Sequence, residues 1–302
     1  MQITKKHVVM KDDFFGELIA YGKSRGVEVL PLWNSYGHNT MIPRLHPEVS
    51  AVKDGKPSGH GLCVSNPATY ELMYRIFDQI IDDYLLPNGI TSFHIGMDEV
   101  RDEMATDVND VFKKYSPWCD CEACAKLSIE EKFINHAIKL IRYLKSRGMT
   151  NVYIYSDMMR HTVSPETFKQ LLVENDVFDV TVVDWWTYTN VKENLNVKTM
   201  YPQLGFRSTI KPMNGYYHWN KTMDCIPNIY WLNEMAHEEG CCEGLMSYAA
   251  WDKSFHRNHV CMADYSWNFV GTGSMEEFKK RYAAREFPGY EKEAVRALEI
   301  FD

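Results

Sequence analysis

Residues 21–33, Tyr-Gly-Lys-Ser-Arg-Gly-Val-Glu-Val-Leu-Pro-Leu-Trp, and residues 143–157, Tyr-Leu-Lys-Ser-Arg-Gly-Met-Thr-Asn-Val-Tyr-Ile-Tyr-Ser-Asp, repeat one local pattern. Each reads as a helix closed by a glycine and followed at once by a buried strand. Gly26 and Gly148 suit that place because glycine enters the left-handed conformation without a Cβ clash. A looser third copy runs from His237-Glu238-Glu239-Gly240 into the apolar stretch at 243–250.

The rest of the chain keeps the same rhythm. Tyr70, Met73, Phe77, Ile80, Ile81 and Tyr84 recur at helical spacing behind an Asn66 cap with Pro67 in the first turn. Ser128 with Glu131 forms a capping box, and Ser164-Pro165 and Ser274 with Glu277 open two further helices. Between the helices lie runs rich in β-branched and aromatic residues: 27–33, 90–96, 151–156, 178–186, about 207–213, and 243–250. They lack polar alternation, as strands covered on both faces do. Strand–helix alternation of this kind predicts an α/β fold with a parallel sheet, open or closed as a barrel. The 302 residues would hold a (β/α) TIM-type barrel, which typically needs ~250. About six strands are legible where a closed barrel has eight, which predicts an incomplete barrel. No Gly/Ser/Pro linker divides the chain, so residues 1–302 read as one catalytic domain.

Composition narrows the function. Hydrophobic residues make up 45% and charged residues 25%, ordinary globular values that exclude disorder. No apolar run approaches the ~20 residues of a membrane span. A net charge of −8 argues against nucleic acid, which is gripped by clustered Lys and Arg. The amino terminus carries no apolar run of signal-peptide length, and eight cysteines are too sparse for a disulfide scaffold. Both points predict a reduced, cytoplasmic protein. Aromatic residues reach 13%, with eight Trp and eighteen Tyr, which suits a site that grips a sugar ring.

Barrel sites lie at the C-terminal ends of strands. Those ends read Trp33-Asn34-Ser35-Tyr36-Gly37-His38, then His94-Ile95-Gly96-Met97-Asp98-Glu99, then Tyr155-Ser156-Asp157, Asp184-Trp185-Trp186, Asn214-Gly215-Tyr216-Tyr217-His218-Trp219 and Trp251-Asp252. Carboxylates, histidines and indoles collect there with few basic residues, as a neutral polyhydroxylated ligand requires. Asp98-Glu99 is the sharpest feature. Adjacent carboxylates repel, so one of them can hold a proton near neutrality and serve as a general acid.

Phe93-His94-Ile95-Gly96-Met97-Asp98-Glu99-Val100 resembles the H-x-G-G-D-E signature of the family 20 glycoside hydrolases, the β-N-acetylhexosaminidases. Gly26-Val27-Glu28-Val29-Leu30-Pro31 followed by Tyr36-Gly37-His38 is similar to that family's G-I-E-V-I-P…P-G-H strand. Leu62-Cys63-Val64-Ser65-Asn66-Pro67 resembles its next helix opening. Tyr155-Ser156-Asp157-Met158 and Trp251-Asp252 resemble two later strand ends. The resemblance covers roughly residues 12–270 and implies substrate-assisted catalysis, an exception to the usual two-carboxylate scheme. It implies Glu99 as general acid and then base, and Asp98 as the anion that holds the acetamide N–H. Tyr217, or Tyr216 beside it, would donate to the acetamide oxygen, and His38 would tune Glu99. Trp33, His94, Asp157, Trp185, Trp186, Tyr216, Trp219, Trp251 and Asp252 would form the sugar pocket. Only one of Trp185 and Trp186 can face it, because adjacent strand residues point to opposite sides. His94, lying on the strand, also reads as a core histidine.

Two departures from the family stand out. On the family's plan residue 12 already enters the helix before the third strand, so the first two barrel strands and their arginine are expected to be missing from residues 1–302. The open edge is then expected to be covered, with a homodimer as the candidate. The signature's second glycine is Met97. Separately, Cys119-Asp120-Cys121-Glu122-Ala123-Cys124 has C-x-C-x2-C spacing that suits a structural zinc, with Cys63 or His60 as the fourth ligand. The expected activity is removal of a terminal β-linked N-acetylhexosamine, GalNAc and/or GlcNAc, from a small glycan or glycoconjugate, with no cofactor in catalysis. Two rivals predict otherwise. One is a metal-dependent barrel hydrolase ligated by His38, His94 and Asp157; the other is a carbohydrate-binding protein without catalysis.

Overall fold

The computed structural model describes residues 13–101, 103–104, 114–187, 204–215, 224–240, 242–248 and 255–301. The chain divides into two compact units. One runs to Ile154 and takes in His161–Thr181; the other holds Tyr155–Arg160 and everything from Val182.

In the first unit the helix Phe14–Ser24 closes as expected. The Arg25 N–H donates to Gly22 O at 2.9 Å and the Gly26 N–H to Lys23 O at 3.2 Å, and Gly26 turns the chain at φ 71°. The chain then runs parallel to the strand Ser92–His94. Trp33 N–H donates to His94 O at 2.8 Å, His94 N–H to Pro31 O at 3.0 Å and Ser35 N–H to Ile95 O at 3.2 Å. Pro31 has no N–H to give back, so only Leu32 and His94 form a formal bridge. Val27 is 58% and Leu32 43% exposed, so this segment is not covered on both faces as the sequence predicts.

Ser92–His94 pairs in parallel with Asn151–Tyr153, reached through the helix Ile129–Ser146. That helix opens on the expected capping box of Ser128 and Glu131 and buries Phe133, Ala137, Leu140, Ile141 and Leu144. The Asn66 side chain accepts from Ala68 N–H at 3.0 Å and starts the helix Pro67–Ile80, which buries Tyr70, Met73 and Phe77. Between these parts sits an antiparallel hairpin, Ser50–Lys53 with Lys56–Leu62, which strand–helix alternation does not foresee. Asp54 and Gly55, at φ 50° and 73°, make its tight turn.

In the second unit Val182–Trp185 pairs in parallel with Arg207–Ile210, which pairs in parallel with Cys242–Leu245. The helix Ile226–Glu239 lies between those last two in sequence and ends on Gly240 at φ 64°. Ile226, Ile229, Cys261, Tyr265 and Phe278 form the buried apolar cluster on its far side. Ser164 and Ser274 cap the helices Pro165–Glu174 and Met275–Glu286 as expected. Each unit thus carries three parallel segments joined by helices, at the six places the sequence indicates, which is the (β/α)-barrel class of fold. Among the described residues no helix is long and apolar enough to cross a membrane.

Candidate active site

The strand Ser92–His94 extends to Ile95, whose N–H donates to Tyr153 O at 2.9 Å. The backbone then turns sharply, with Gly96, Met97 and Glu99 at φ 67°, 71° and 45°, and His38 stands nearby at φ 53°. Six non-glycine residues have positive φ among the described residues, and three of them are these. Such conformations cost about 1 kcal/mol or more each and persist only where contacts hold them. Here the contacts are visible. Gly96 N–H donates to His94 Nδ1 at 2.9 Å, and Ser35 Oγ donates to Ile95 O at 2.6 Å. A Cβ on Gly37 would overlap the carbonyl oxygen of Asp98, and one on Gly96 would lie 3.0 Å from Asn34 Oδ1. Segments 34–39 and 95–99 therefore lock backbone to backbone.

His94 is buried beneath the turn, stacked on Tyr153 at 6.0 Å. It holds Gly96 in place, which agrees with its reading as a core histidine. His136, which the sequence does not single out, supports the neighbouring segment. Its Nε2 lies 3.1 Å from Ser35 O and its Nδ1 3.1 Å from the Tyr70 hydroxyl. Burial pushes His136 down to about 4. The ring is thus neutral, with the Nε2 proton on the carbonyl, which can only accept.

The turn presents the carboxylates. His38 Nε2 stands 3.3 Å from Glu99 Oε2 and 3.5 Å from Asp98 Oδ2. Arg101 donates to the other Glu99 oxygen, Oε1, at 2.8 Å. Glu99 is held at both ends, and the sequence reading missed Arg101 although it lies two residues away. Asp98 Oδ1 is buried and takes no hydrogen bond among the described residues, and the same is true of Trp33 Nε1 as a donor. The turn therefore sets two carboxyl groups side by side, Glu99 held at both oxygens and Asp98 with an open acceptor. A separate cavity of about 200 Å³, lined by Ile19, Lys23, Val27, Val29 and Ile90 among others, sits at the opposite, N-terminal ends of the strands and carries none of these groups.

The second unit supplies its own strand ends. Asp184 is fully buried and pairs with Lys211 at 2.8 Å, while Thr209 Oγ1 donates to its other oxygen at 2.9 Å. Lys211 also donates to the Tyr155 hydroxyl at 2.9 Å. Arg101 and Lys211 are among the few basic residues that stand near the strand ends. Trp185 and Trp186 are both buried, and Trp186 packs with Tyr155 and Met213. Asp157 is half-buried after Ser156, whose N–H donates to Asp184 O. Asn228 and Asn258 reach from helices to pin Met213 N–H and Asn214 O. Tyr216, Tyr217, Trp219, Trp251 and Asp252 lie outside the described residues.

Cys63, Cys119, Cys121 and Cys124 place their four Sγ atoms within 4.8 Å of one another. Among the described residues this is the one grouping of His, Cys, Asp and Glu close enough to share an ion. Cys63, rather than His60, completes the set, and His38, His94 and Asp157 do not make such a grouping. A hydrogen bond from Cys63 holds the Cys119 thiol down at about 5.

Comparison with known proteins agrees with this geometry. Beta-hexosaminidase subunit A2 of Dictyostelium discoideum is 25% identical over 228 residues, covering 72% of this chain and 37% of that protein. A solved glycoside hydrolase family 20 beta-N-acetylglucosaminidase superposes with a TM-score of 0.57 at 12% identity, over 94% of this chain and 61% of the other. At that identity the likeness establishes the fold. The chain spans less than two thirds of the length of each. The catalytic domain of glycosyl hydrolase family 20 matches residues 3–271, a span that runs through both units and takes in the Asp98-Glu99 turn. The chain belongs to glycosyl hydrolase family 20.

Proposed function

We propose that the protein is a retaining exo-β-N-acetylhexosaminidase that works by substrate-assisted catalysis. One observation carries the reading: Glu99 is gripped at both oxygens beside an Asp98 whose Oδ1 is buried without a donor among the described residues. A buried acceptor left unpaired costs about 1–3 kcal/mol, and the N–H of a 2-acetamido group supplies what it lacks. The acetamido oxygen attacks C1 while the bond from C1 to the leaving oxygen breaks. That oxygen keeps the electron pair and takes the proton from Glu99. Asp98 holds the acetamide N–H and offsets the positive charge of the oxazolinium. Glu99, now a carboxylate, removes a proton from water as the water oxygen attacks C1, and two inversions leave the configuration retained. His38 positions Glu99, and Tyr217 or Tyr216 donates to the acetamide oxygen. Trp33, Asp157, Trp185 or Trp186, Trp219, Trp251 and Asp252 are assigned to the sugar by the family likeness, with His94 supporting from below.

The substrate is a terminal β-linked N-acetylhexosamine, GalNAc as well as GlcNAc, on a small glycan or glycoconjugate. No cofactor enters the chemistry, and the four clustered cysteines are read as a structural zinc site. Free thiols and a thiolate metal site suit a reducing, cytoplasmic setting. A second copy is placed at the exposed edge carrying Val27 and Leu32, which light scattering tests as a dimer mass. Activity on 4-nitrophenyl β-GalNAc, β-GlcNAc and β-glucose tests the whole reading. Turnover of the acetamido sugars alone is expected, with Glu99→Gln and Asp98→Asn each slower by at least ~100-fold in kcat. Cleavage of the glucoside alone would overturn it.

A further inference from the structure

The four thiols come from distant parts of the first unit. Cys63 follows the strand Lys56–Leu62, and Cys119, Cys121 and Cys124 lie in the loop between the catalytic turn and the helix Ile129–Ser146. Cys63 Sγ is 3.7 Å from Cys121 Sγ and 3.9 Å from Cys124 Sγ. Zinc bound to four thiolates at ~2.3 Å makes a tetrahedron whose sulfur–sulfur edges are about 3.8 Å, which those two separations match, and all four Sγ atoms lie within 4.8 Å of one another. The surroundings suit thiolates as well. Val52 N–H donates to Cys119 Sγ at 3.3 Å, and the Ser65 hydroxyl lies 3.1 Å from Cys124 Sγ. Donors of this kind orient metal-bound sulfur.

Both cysteine-bearing segments touch the turn that carries His38. On one side Trp118, next to Cys119, meets Tyr36 edge-on at 5.3 Å. On the other, Gly61, two residues before Cys63, donates its N–H to Asn39 O at 3.1 Å. The two segments also press on each other, because a Cβ on Gly61 would lie 2.6 Å from Pro117 Cα. Tyr36 lies two residues before His38 and Asn39 follows it directly.

We infer that Cys63, Cys119, Cys121 and Cys124 bind one zinc ion as a tetrathiolate, and that this ion is a clasp holding the wall behind the His38 turn. The four thiols give up their protons to solvent on binding. The ion stays outside the reaction and acts by position. The catalytic part of this inference rests on the glycosidase reading; the zinc itself does not.

Elemental analysis of wild-type protein, purified without added metal or chelator, is expected to find one zinc per chain. Cobalt exchange should give the ligand-field spectrum of a tetrahedral tetrathiolate. Cys121→Ser, at the least buried ligand, should lose metal and melt lower, while Cys242→Ser, outside the cluster, should do neither. Stripping zinc from wild type should lower the melting temperature together with kcat, the latter by about 10-fold or more, and zinc should restore both. Metal-free wild type with full stability, or a disulfide among the four cysteines, would overturn the site. Bound zinc whose removal leaves kcat unchanged would overturn the clasp. No turnover by zinc-loaded wild type on any acetamido sugar would sink the glycosidase reading and leave the zinc count standing.

Discussion

Replacing Arg101 with glutamine tests how Glu99 is tuned. The guanidinium donates to Glu99 Oε1 at 2.8 Å, but its side chain is 65% exposed against 13% for Glu99. Two unit charges about 4 Å apart interact by ~4 kcal/mol near a protein surface and ~1 kcal/mol in bulk water. With the arginine mostly in water, the weaker end applies, and exposed pairs measure ~0.2–1 kcal/mol. The neighbouring cation favours the ionised form of Glu99 on that scale. The sign follows from the role. A general acid works protonated, so activity falls as pH rises through its pKa, and a neighbouring cation brings that fall to lower pH. Arg101→Gln should therefore move the basic limb of the kcat/KM profile to higher pH, by no more than an exposed pair of ~0.2–1 kcal/mol allows, and the gap should shrink in high salt. The substrate should be an N-acetylhexosaminyl disaccharide, whose leaving alcohol needs the proton more than nitrophenol does. A basic limb that stays put or moves down at low salt would refute the assignment of Glu99 as the acid under Arg101's influence.

Three further outcomes are expected. His136 is held neutral at about 4 when folded against an ordinary value of 6.5, so the unfolded chain takes up its proton first. Its contribution, roughly 3 kcal/mol, is fully present above pH 6.5 and lost progressively as pH falls toward 4; urea midpoints should show that slope in wild type and not in His136→Gln. Gly37→Ala drives a methyl group into the Asp98 carbonyl and should cost roughly 1–3 kcal/mol by thermal melting, whereas Gly244→Ala, with nothing within 4 Å, should stay within about 0.5 kcal/mol of wild type. Lys211→Met strands the fully buried Asp184 and should cost about 3–5 kcal/mol in denaturant melts, with Asp184→Asn in the same chain recovering part of the loss.

The features that the sequence made legible are those fixed by neighbours along the chain. A capping serine and its glutamate stand three residues apart, and a C-terminal glycine sits beside the turn it allows. For that reason the helix starts at Asn66, Ser128, Ser164 and Ser274, and the six strand positions, are where local chemistry puts them. The hairpin at 50–62 was equally local, since Lys53-Asp54-Gly55-Lys56 carries a tight-turn signal, but strand–helix alternation drew attention away from it. Pairings between distant residues were a different matter. Lys211 reads as an exposed lysine until the fold brings Asp184 and Tyr155 to it. The choice between Cys63 and His60 could not be made from a separation of more than fifty residues. Aromatic content likewise pointed to a sugar site without saying which rings serve it: Trp185 is buried and Trp267 is 91% exposed.

Met97 shows where the geometry of the site resides. The family signature has glycine there, and glycine is the residue that left-handed backbone favours. Here a buried methionine occupies the position and the backbone still sits at φ 71°. A side chain that disfavours the turn has not removed it, so the turn is imposed from outside. The imposing contacts are the Gly37 backbone against Asp98, His94 under Gly96, and the Ser35 hydroxyl on Ile95. Ser35 and Gly37 belong to the segment that His136 holds at one end and that the residues flanking the cysteines hold at both. The carboxylates are thus placed by a second layer of structure, and substitutions in that layer should reach the chemistry without touching substrate.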